Sequence, residues 1–204
     1  MSYACPVDLD LARLQREIQS VYARVAVDPG GAFHFHRGPA YAVEWLGYDA
    51  AELSALPPPV TSAFAGIGNP HAIAPVPQGA IVVDVGCGAG MDLLLSASRV
   101  GPSGAAIGVD MTDDMLERAR AGARDAGLAN VDVRLGDATA LPIDDGTVDV
   151  VTSNGVLNLV PDKPRAAAEM FRVLKPGGRL QIADIIVAEA LSDDVRRDVD
   201  LWTG

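Results

Sequence analysis

Cysteine is nearly absent from this 204-residue chain, which has only Cys5 and Cys87. The two lie far apart in unlike contexts, so neither a disulfide framework nor a zinc-ligand spacing is available. Positive charge is scarce as well, with 16 Lys and Arg against 27 Asp and Glu and a net charge of −11. Such a chain carries no electrostatic footprint for a phosphate backbone or an anionic lipid surface, which excludes nucleic acid as an expected partner. No apolar run reaches the roughly 20 residues of a membrane span. The opening Met1-Ser-Tyr-Ala-Cys-Pro6 lacks the basic and apolar regions of a secretory leader. A cytoplasmic location without a membrane partner is therefore expected.

What is plentiful is apolar side chain, at 49% of residues, enough for one good core with a small appendage. Residues 1–70 are expected to form an N-terminal helical cover and connecting loop, and residues 71–204 the core. Leu11, Leu14, Ile18, Val21, Tyr22 and Val25 recur at helical steps and predict one amphipathic helix over 8–26. A second helix is expected over 39–46, stopped by Gly47. Asp49-Ala-Ala-Glu52 has capping-box spacing for a short third one. Pro57-Pro-Pro59 is expected to break it, and Gly66-Ile-Gly-Asn-Pro70 to be a loop. Tyr22 and Tyr41 read first as core-facing aromatics and second as residues over a ligand. His34, His36 and His71 read as polar residues of the cover that line an acceptor pocket, since no carboxylate or cysteine nearby completes a metal site.

Beyond residue 79 the pattern alternates. Strands are expected over 80–85, 105–110, 131–135, 148–153 and 179–187, with helices over 89–100, 112–126 and 162–174. Alternation of this kind makes a doubly wound α/β fold, a parallel sheet with helices on both faces. A reversal of strand order beside the first strand puts a ligand crevice at the carboxyl ends of the strands. Asp144-Asp145 reads as a solvated turn.

At the end of the first strand, residues 82–92 read Val-Val-Asp-Val-Gly-Cys-Gly-Ala-Gly-Met-Asp. Gly86, Gly88 and Gly90 allow a sharp turn and a close backbone approach to a ligand, at the N–H groups that open the next helix. Asp110 follows Gly90 by 20 residues, a spacing suited to ribose hydroxyls. Dinucleotide sites show G-x-G-x-x-G, whereas the spacing here is G-x-G-x-G. A nucleotide-dependent oxidoreductase remains a minor reading.

The segment resembles motif I of class I S-adenosylmethionine-dependent methyltransferases. The resemblance implies a Rossmann-like fold, S-adenosylmethionine as cofactor and methyl transfer to a small-molecule acceptor. It places Asp84, Gly86, Cys87, Gly88 and Gly90 at the cofactor loop, Asp110 with Met111 at the ribose, and Gly136, Asp137 and Ala138 at the adenine. Ser153 stands beside the cofactor at the end of the fourth strand. Asp84, mid-strand, is expected to order the loop through backbone N–H bonds, and Asp137 has the alternative of a turn aspartate. Cys87 is expected to be a small filler. Asn154 and Asn158 either orient the acceptor or cap loops.

Gly108-Val-Asp-Met-Thr112, Ser153-Asn-Gly-Val-Leu-Asn-Leu159, Pro161-Asp-Lys163 and Arg172-Val-Leu-Lys-Pro-Gly-Gly-Arg-Leu180 resemble the arsenite methyltransferase branch. Its soft trivalent arsenic is held by thiolates, and it keeps a cysteine where this chain has Gly155 and another near the Gly-Asn-Pro loop, where residues 65–70 hold none. The resemblance also implies a sixth and a seventh strand. Only residues 191–201 remain for the helix before them, so the fifth strand is expected to be a bare sheet edge through which two copies pair. A cofactor-binding module with little turnover is the alternative to an active enzyme.

Overall fold

Strand β1 (Ile81–Val85) lies at the centre of a five-stranded parallel sheet of order β3-β2-β1-β4-β5. In this computed structural model residues 10–186, Ser192 and Trp202 are described. The remaining strands are β2 (Ala105–Asp110), β3 (Val131–Leu135), β4 (Val148–Asn154) and β5 (Leu174–Ala183). Val83 of β1 sits between Ile107 of β2 and Val151 of β4. Because β2 and β4 depart to opposite sides of β1, the crossovers diverge there and leave a crevice at the carboxyl ends of the two strands. This is the fold class that the alternating pattern predicts.

Among the described residues four α-helices precede the sheet: α1 (Leu11–Val27), α2 (Gly38–Leu46), α3 (Ala50–Ser54) and α4 (Pro58–Ser62). Asp10 caps α1 by accepting from the N–H groups of Ala12 and Arg13, and Asp49 caps α3 through Ala51 and Glu52, satisfying donors a helix start leaves open. One expectation fails at Pro57–Pro59. The prolines start α4 instead of only ending α3, with Pro57 as the cap and Pro58 in the first turn. In a first turn the missing N–H costs nothing and the fixed φ suits a helix.

Helices α5 (Met91–Val100) and α6 (Asp113–Asp125) cover one face of the sheet and α7 (Lys163–Val173) the other. Leu93, Leu94 and Leu116 are fully buried with Leu53, Leu56, Val60 and Phe64. The cover and the sheet helices thus share one apolar cluster across residue 70, where each buried leucine contributes on the order of 1.5–3 kcal/mol. Behind the sheet Met170 and Val173 pack on Val83, Val85 and Val151.

Strand β5 begins at Leu174, earlier than the expected residue 179. Leu174 pairs with Val148 and Arg179 with Val150, so Lys175-Pro-Gly-Gly178 is taken up as a bulge inside the strand and not as a helix-ending loop. Strand β5 is last in the sheet order. The strand ends at Ala183, short of the expected residue 187; the helix expected over 191–201 lies outside the described residues except for Ser192, and Cys5 lies outside them too.

Candidate functional site

Where β1 ends, the chain reverses over residues 86–90. Gly86 and Cys87 both donate to the Val109 carbonyl, at 2.7 and 3.1 Å. Gly88 N–H then donates to Asp110 Oδ2 at 2.9 Å, and Asp110 Oδ1 accepts from Thr112 N–H at 2.9 Å. A Cβ at Gly86 would stand 2.3 Å from Val156 Cγ2, so no side chain fits there. Gly88 has a φ of 51° and no heavy atom nearer than Met115 Sδ, 4.0 Å from where its Cβ would be. A side chain there would be strained and would stand in open space beside the loop.

That space is a cavity of about 410 Å³, within the range of small-molecule and cofactor sites. The ends of β1, β2 and β4 form its floor and α1 crosses it through Leu14, Gln15, Ile18 and Tyr22. Asp84, Gly86, Cys87, Gly88, Gly90, Asp110, Met111, Gly136, Asp137, Ala138 and Asn154 all line it. The sequence-predicted cofactor residues are thus brought together, with one exception. Ser153 does not reach the cavity, because its side chain is fully buried and its hydroxyl donates to the Val85 carbonyl at 3.1 Å, turned inward by the strand's alternation.

The roles of the acids differ from expectation. The loop is ordered by Asp110, not by Asp84. The Asp84 carboxylate, 3% exposed, accepts from Thr152 Oγ1 at 2.7 Å and bonds no loop N–H. In Asp137, Oδ1 accepts from the Thr139 N–H and hydroxyl at 2.7 and 2.6 Å, the expected turn, while Oδ2 accepts from Gln15 Nε2 at 3.2 Å. Asp137 is therefore both a turn residue and a cavity residue. The Cys87 side chain points at β2, since a Cβ on Gly108 would lie 2.7 Å from its Sγ. Burial pushes the Cys87 thiol well up, and the residue is the inert filler that was expected.

The amides of Asn154 and Asn158 are engaged by the protein itself. Asn154 Oδ1 accepts from Ile67 and Gly68 N–H at 2.9 and 3.1 Å. Its Nδ2 donates to the Gly68 carbonyl, Tyr48 Oη and Asp92 Oδ2 at 2.8 to 3.1 Å. The amide is fully occupied as a clamp on the loop over residues 66–70. The side-chain amide of Asn158 reaches the Gly155 carbonyl at 2.9 Å and the residue does not line the cavity.

Asp92 is a cavity residue that the sequence reading did not single out. It is 6% exposed and accepts from Tyr48 Oη at 2.7 Å. His71 Nε2 stands 3.2 Å from Asp92 Oδ1 without the alignment of a hydrogen bond, and neither ring nitrogen has a hydrogen-bond partner among the described residues. The signal available in sequence was one acid in the otherwise apolar run Met91-Asp-Leu-Leu-Leu95. None of the three histidines lines the cavity. His34 meets Phe35 edge-on and His36 stacks on Tyr41; Tyr22 lines the cavity, while Tyr41 does not. Asp145 is exposed, as a solvated turn predicts, and pairs with Arg172.

Among the described residues, Asp84, Asp92, Asp110, Asp137 and Asp162 line the cavity, and no lysine, arginine or histidine does. With no cation to offset it, burial raises the Asp84 carboxyl well above its ordinary value, and the neighbouring Asp92 charge adds to the shift. Burial raises Asp110 too, against the pull of its bonds to Gly88 and Thr112. Tyr22 is pushed up to about 12 by burial and by Asp110 and Asp184. A floor of this kind rejects anions and favours a ligand that brings positive charge. No helix among the described residues is long and apolar enough to cross a membrane.

Comparison with known proteins agrees with this geometry. Over 161 residues the chain is 44% identical to an arsenite methyltransferase of Halobacterium salinarum, covering 79% of this chain and 41% of that one. It is 40% identical over 158 residues to an arsenite methyltransferase of Aquipseudomonas alcaligenes, covering 74% and 45%. The chain therefore spans less than half the length of these relatives. The crystal structure of an arsenic(III) S-adenosylmethionine methyltransferase from Chlamydomonas reinhardtii superimposes with a TM-score of 0.66 at 38% identity, covering 71% of this chain and 51% of that one. Residues 77–203 match the methyltransferase domain family, and with the sheet order, the glycine loop and the cavity of that fold, this chain belongs to the S-adenosylmethionine-dependent methyltransferases.

Proposed function

We propose that the chain binds S-adenosylmethionine in this cavity and supports methyl transfer from it to a small, uncharged acceptor. The observation that carries the reading is the cavity's lining, among the described residues, of five aspartates and no cationic side chain beneath a loop where Gly88 leaves room for a ligand. A cationic sulfonium ligand fits that lining, whereas a pyrophosphate or a carboxylated acceptor is opposed by it. When bound, the cofactor supplies an electrophilic methyl group on a positively charged sulfur. The chain's own part is to bind, align and desolvate, since displacement at a methyl group depends mainly on those terms. Asp110 and Asp137 face the cavity with unused lone pairs for the adenosyl end, Asp84 and Asp92 provide negative potential at the floor, and α1 limits water.

A trivalent arsenic species is one such uncharged acceptor, a choice supported by the names of the relatives. Gly155 stands where a thiolate ligand is expected in that branch, and the Cys87 thiol is turned toward Gly108 of β2. Other uncharged nucleophiles therefore remain within the proposal. The reading keeps a cytoplasmic enzyme without a nucleic-acid partner, supported by the net charge of −11. It also includes pairing of two copies along β5, which light scattering tests. Incubation with methyl-labelled S-adenosylmethionine and a panel of arsenite with thiol, an uncharged amine and a phenolate tests the function. Labelled product from an uncharged acceptor is expected. Tight cofactor binding with transfer to none of the panel would favour a binding module with little turnover.

A further inference from the structure

Helix α1 is fastened in two different ways along its length. Its second half is buried in apolar packing, with Val25 and Ala26 against Ala63, Ala89 and Met115. Its first half crosses the cavity and, besides the apolar contact of Leu14 and Ile18 with Met111, Leu159 and Trp202, is tied by two glutamines. Gln15 Nε2 donates to Asp137 Oδ2 at 3.2 Å, and Gln19 Nε2 donates to the Met111 carbonyl at 2.9 Å. The four-residue spacing puts both amides on one helix face. Their acceptors are the residues that follow β2 and β3, the elements assigned above to the adenosyl end of the cofactor. The bonds therefore close the helix over that end and leave the side toward Asn154 and Gly155 without such a tie.

We propose that Gln15 and Gln19 are positioning residues that latch the first half of α1 over the bound nucleoside, so that release of the demethylated cofactor requires both bonds to break. This inference rests on the cofactor assignment made above. Because both bonds form in the unliganded chain as well, the latch gates entry and release alike. Each bond has a protein acceptor that persists whether or not ligand is present, and Asp137 Oδ2 keeps a second lone pair for a ligand amino group. Removing the amides loosens the closed state while leaving the floor that the ligand binds.

Stopped-flow kinetics with S-adenosylhomocysteine on the whole chain tests this. Gln15→Leu and Gln19→Leu keep side-chain bulk and remove the donor, and Arg16→Ala, at an exposed position of the same helix, serves as the control. The double glutamine variant is expected to dissociate about ten-fold faster, as two modest hydrogen bonds warrant. The association rate should rise with the dissociation rate, because entry needs the same opening, and Arg16→Ala should match the parent. Hydrogen exchange of the unmodified chain gives a second reading that needs no variant. Bound S-adenosylhomocysteine should increase protection across residues 11–19 far more than across 20–27. An unchanged dissociation rate in a double variant that binds, or equal protection of both halves, overturns the latch. Failure of the parent chain to bind S-adenosylhomocysteine overturns the cofactor assignment, and the latch with it.

Discussion

Asp110 and Gly88 are joined by a 2.9 Å hydrogen bond from the Gly88 N–H to Asp110 Oδ2, which makes the acid at the end of β2 the strut of the glycine loop. The same carboxylate holds Thr112 N–H with its other oxygen. It thereby fixes both the loop after β1 and the start of α6, and each oxygen keeps a lone pair toward the cavity. Sequence spacing marks Asp110 as a candidate for the ribose; the geometry adds that it braces the glycine loop.

Asp110→Ala removes two charge-assisted bonds, each of about 1.5–3 kcal/mol, and frees the loop. Calorimetric affinity for S-adenosylmethionine is expected to fall by at least about ten-fold, since each 1.4 kcal/mol is a factor of ten. Asp110→Asn, which retains one oxygen acceptor, is expected to lose less.

Asn154→Ala separates the clamp from an acceptor role. The substitution strands the N–H groups of Ile67 and Gly68 and one oxygen of Asp92, at a cost of about 1–3 kcal/mol for an unsatisfied buried group. A lower thermal midpoint, by on the order of 5–10 °C for a chain of this size, is the expected outcome. An acceptor-orienting asparagine would instead leave the midpoint in place and lower turnover alone.

The contrast between these residues shows what sequence can and cannot convey. Asp84, Gly86 and Asp110 are legible because strand periodicity and glycine spacing act within a few residues of each other. Asn154 is not. Its partners Tyr48, Gly68 and Asp92 lie 106, 86 and 62 positions away, and only the topology brings them together. Ser153 failed for a smaller reason: at the end of a strand, one residue of register decides between cavity and interior. Pro57 to Pro59 failed because proline is a helix breaker inside a helix and a helix starter in its first turn, a choice that the docking of Val60 against Leu94 and Leu116 decides.

The pH dependence of stability follows from Asp84, Asp110 and Asp184, all raised chiefly by burial. A carboxyl with a higher pKa folded than unfolded contributes stability that is complete below the unfolded value of about 3.9 and is lost as pH rises through the folded one. Glu169, lowered first by its hydrogen bond from Arg172, acts in the opposite direction. So does Asp149, whose burial is outweighed by the Ile81 N–H and Lys175. Both lose their contribution only on acidification below the ordinary carboxylate range, so they do not mask the trend above it. Thermal melts should show the unliganded chain losing stability as pH rises from the ordinary carboxylate range through the raised values. The stabilisation by S-adenosylmethionine should grow over the same interval. Asp84→Asn should flatten both trends; an unaltered slope would contradict the role given to this acid.

Gly155 has a φ of 71°, with Ile67 as the nearest neighbour at 3.5 Å from a would-be Cβ. Gly155→Ala and Gly155→Cys are therefore expected to cost similar amounts, about 1–2 kcal/mol of backbone strain, read by denaturant melts. Gly155→Cys alone should gain no tight arsenite binding, because the Cys87 thiol is packed against β2. Tight binding by the single variant would show that the acceptor pocket is organised differently.

The central claim is that the cavity under the glycine loop holds a sulfonium nucleoside. Calorimetric titration of the unmodified chain with S-adenosylmethionine, S-adenosylhomocysteine and NAD tests it most directly. The account predicts one-to-one binding of both sulfur nucleosides, weakened together by Asp110→Ala, and no measurable binding of NAD. Binding of NAD without binding of either sulfur nucleoside would contradict it.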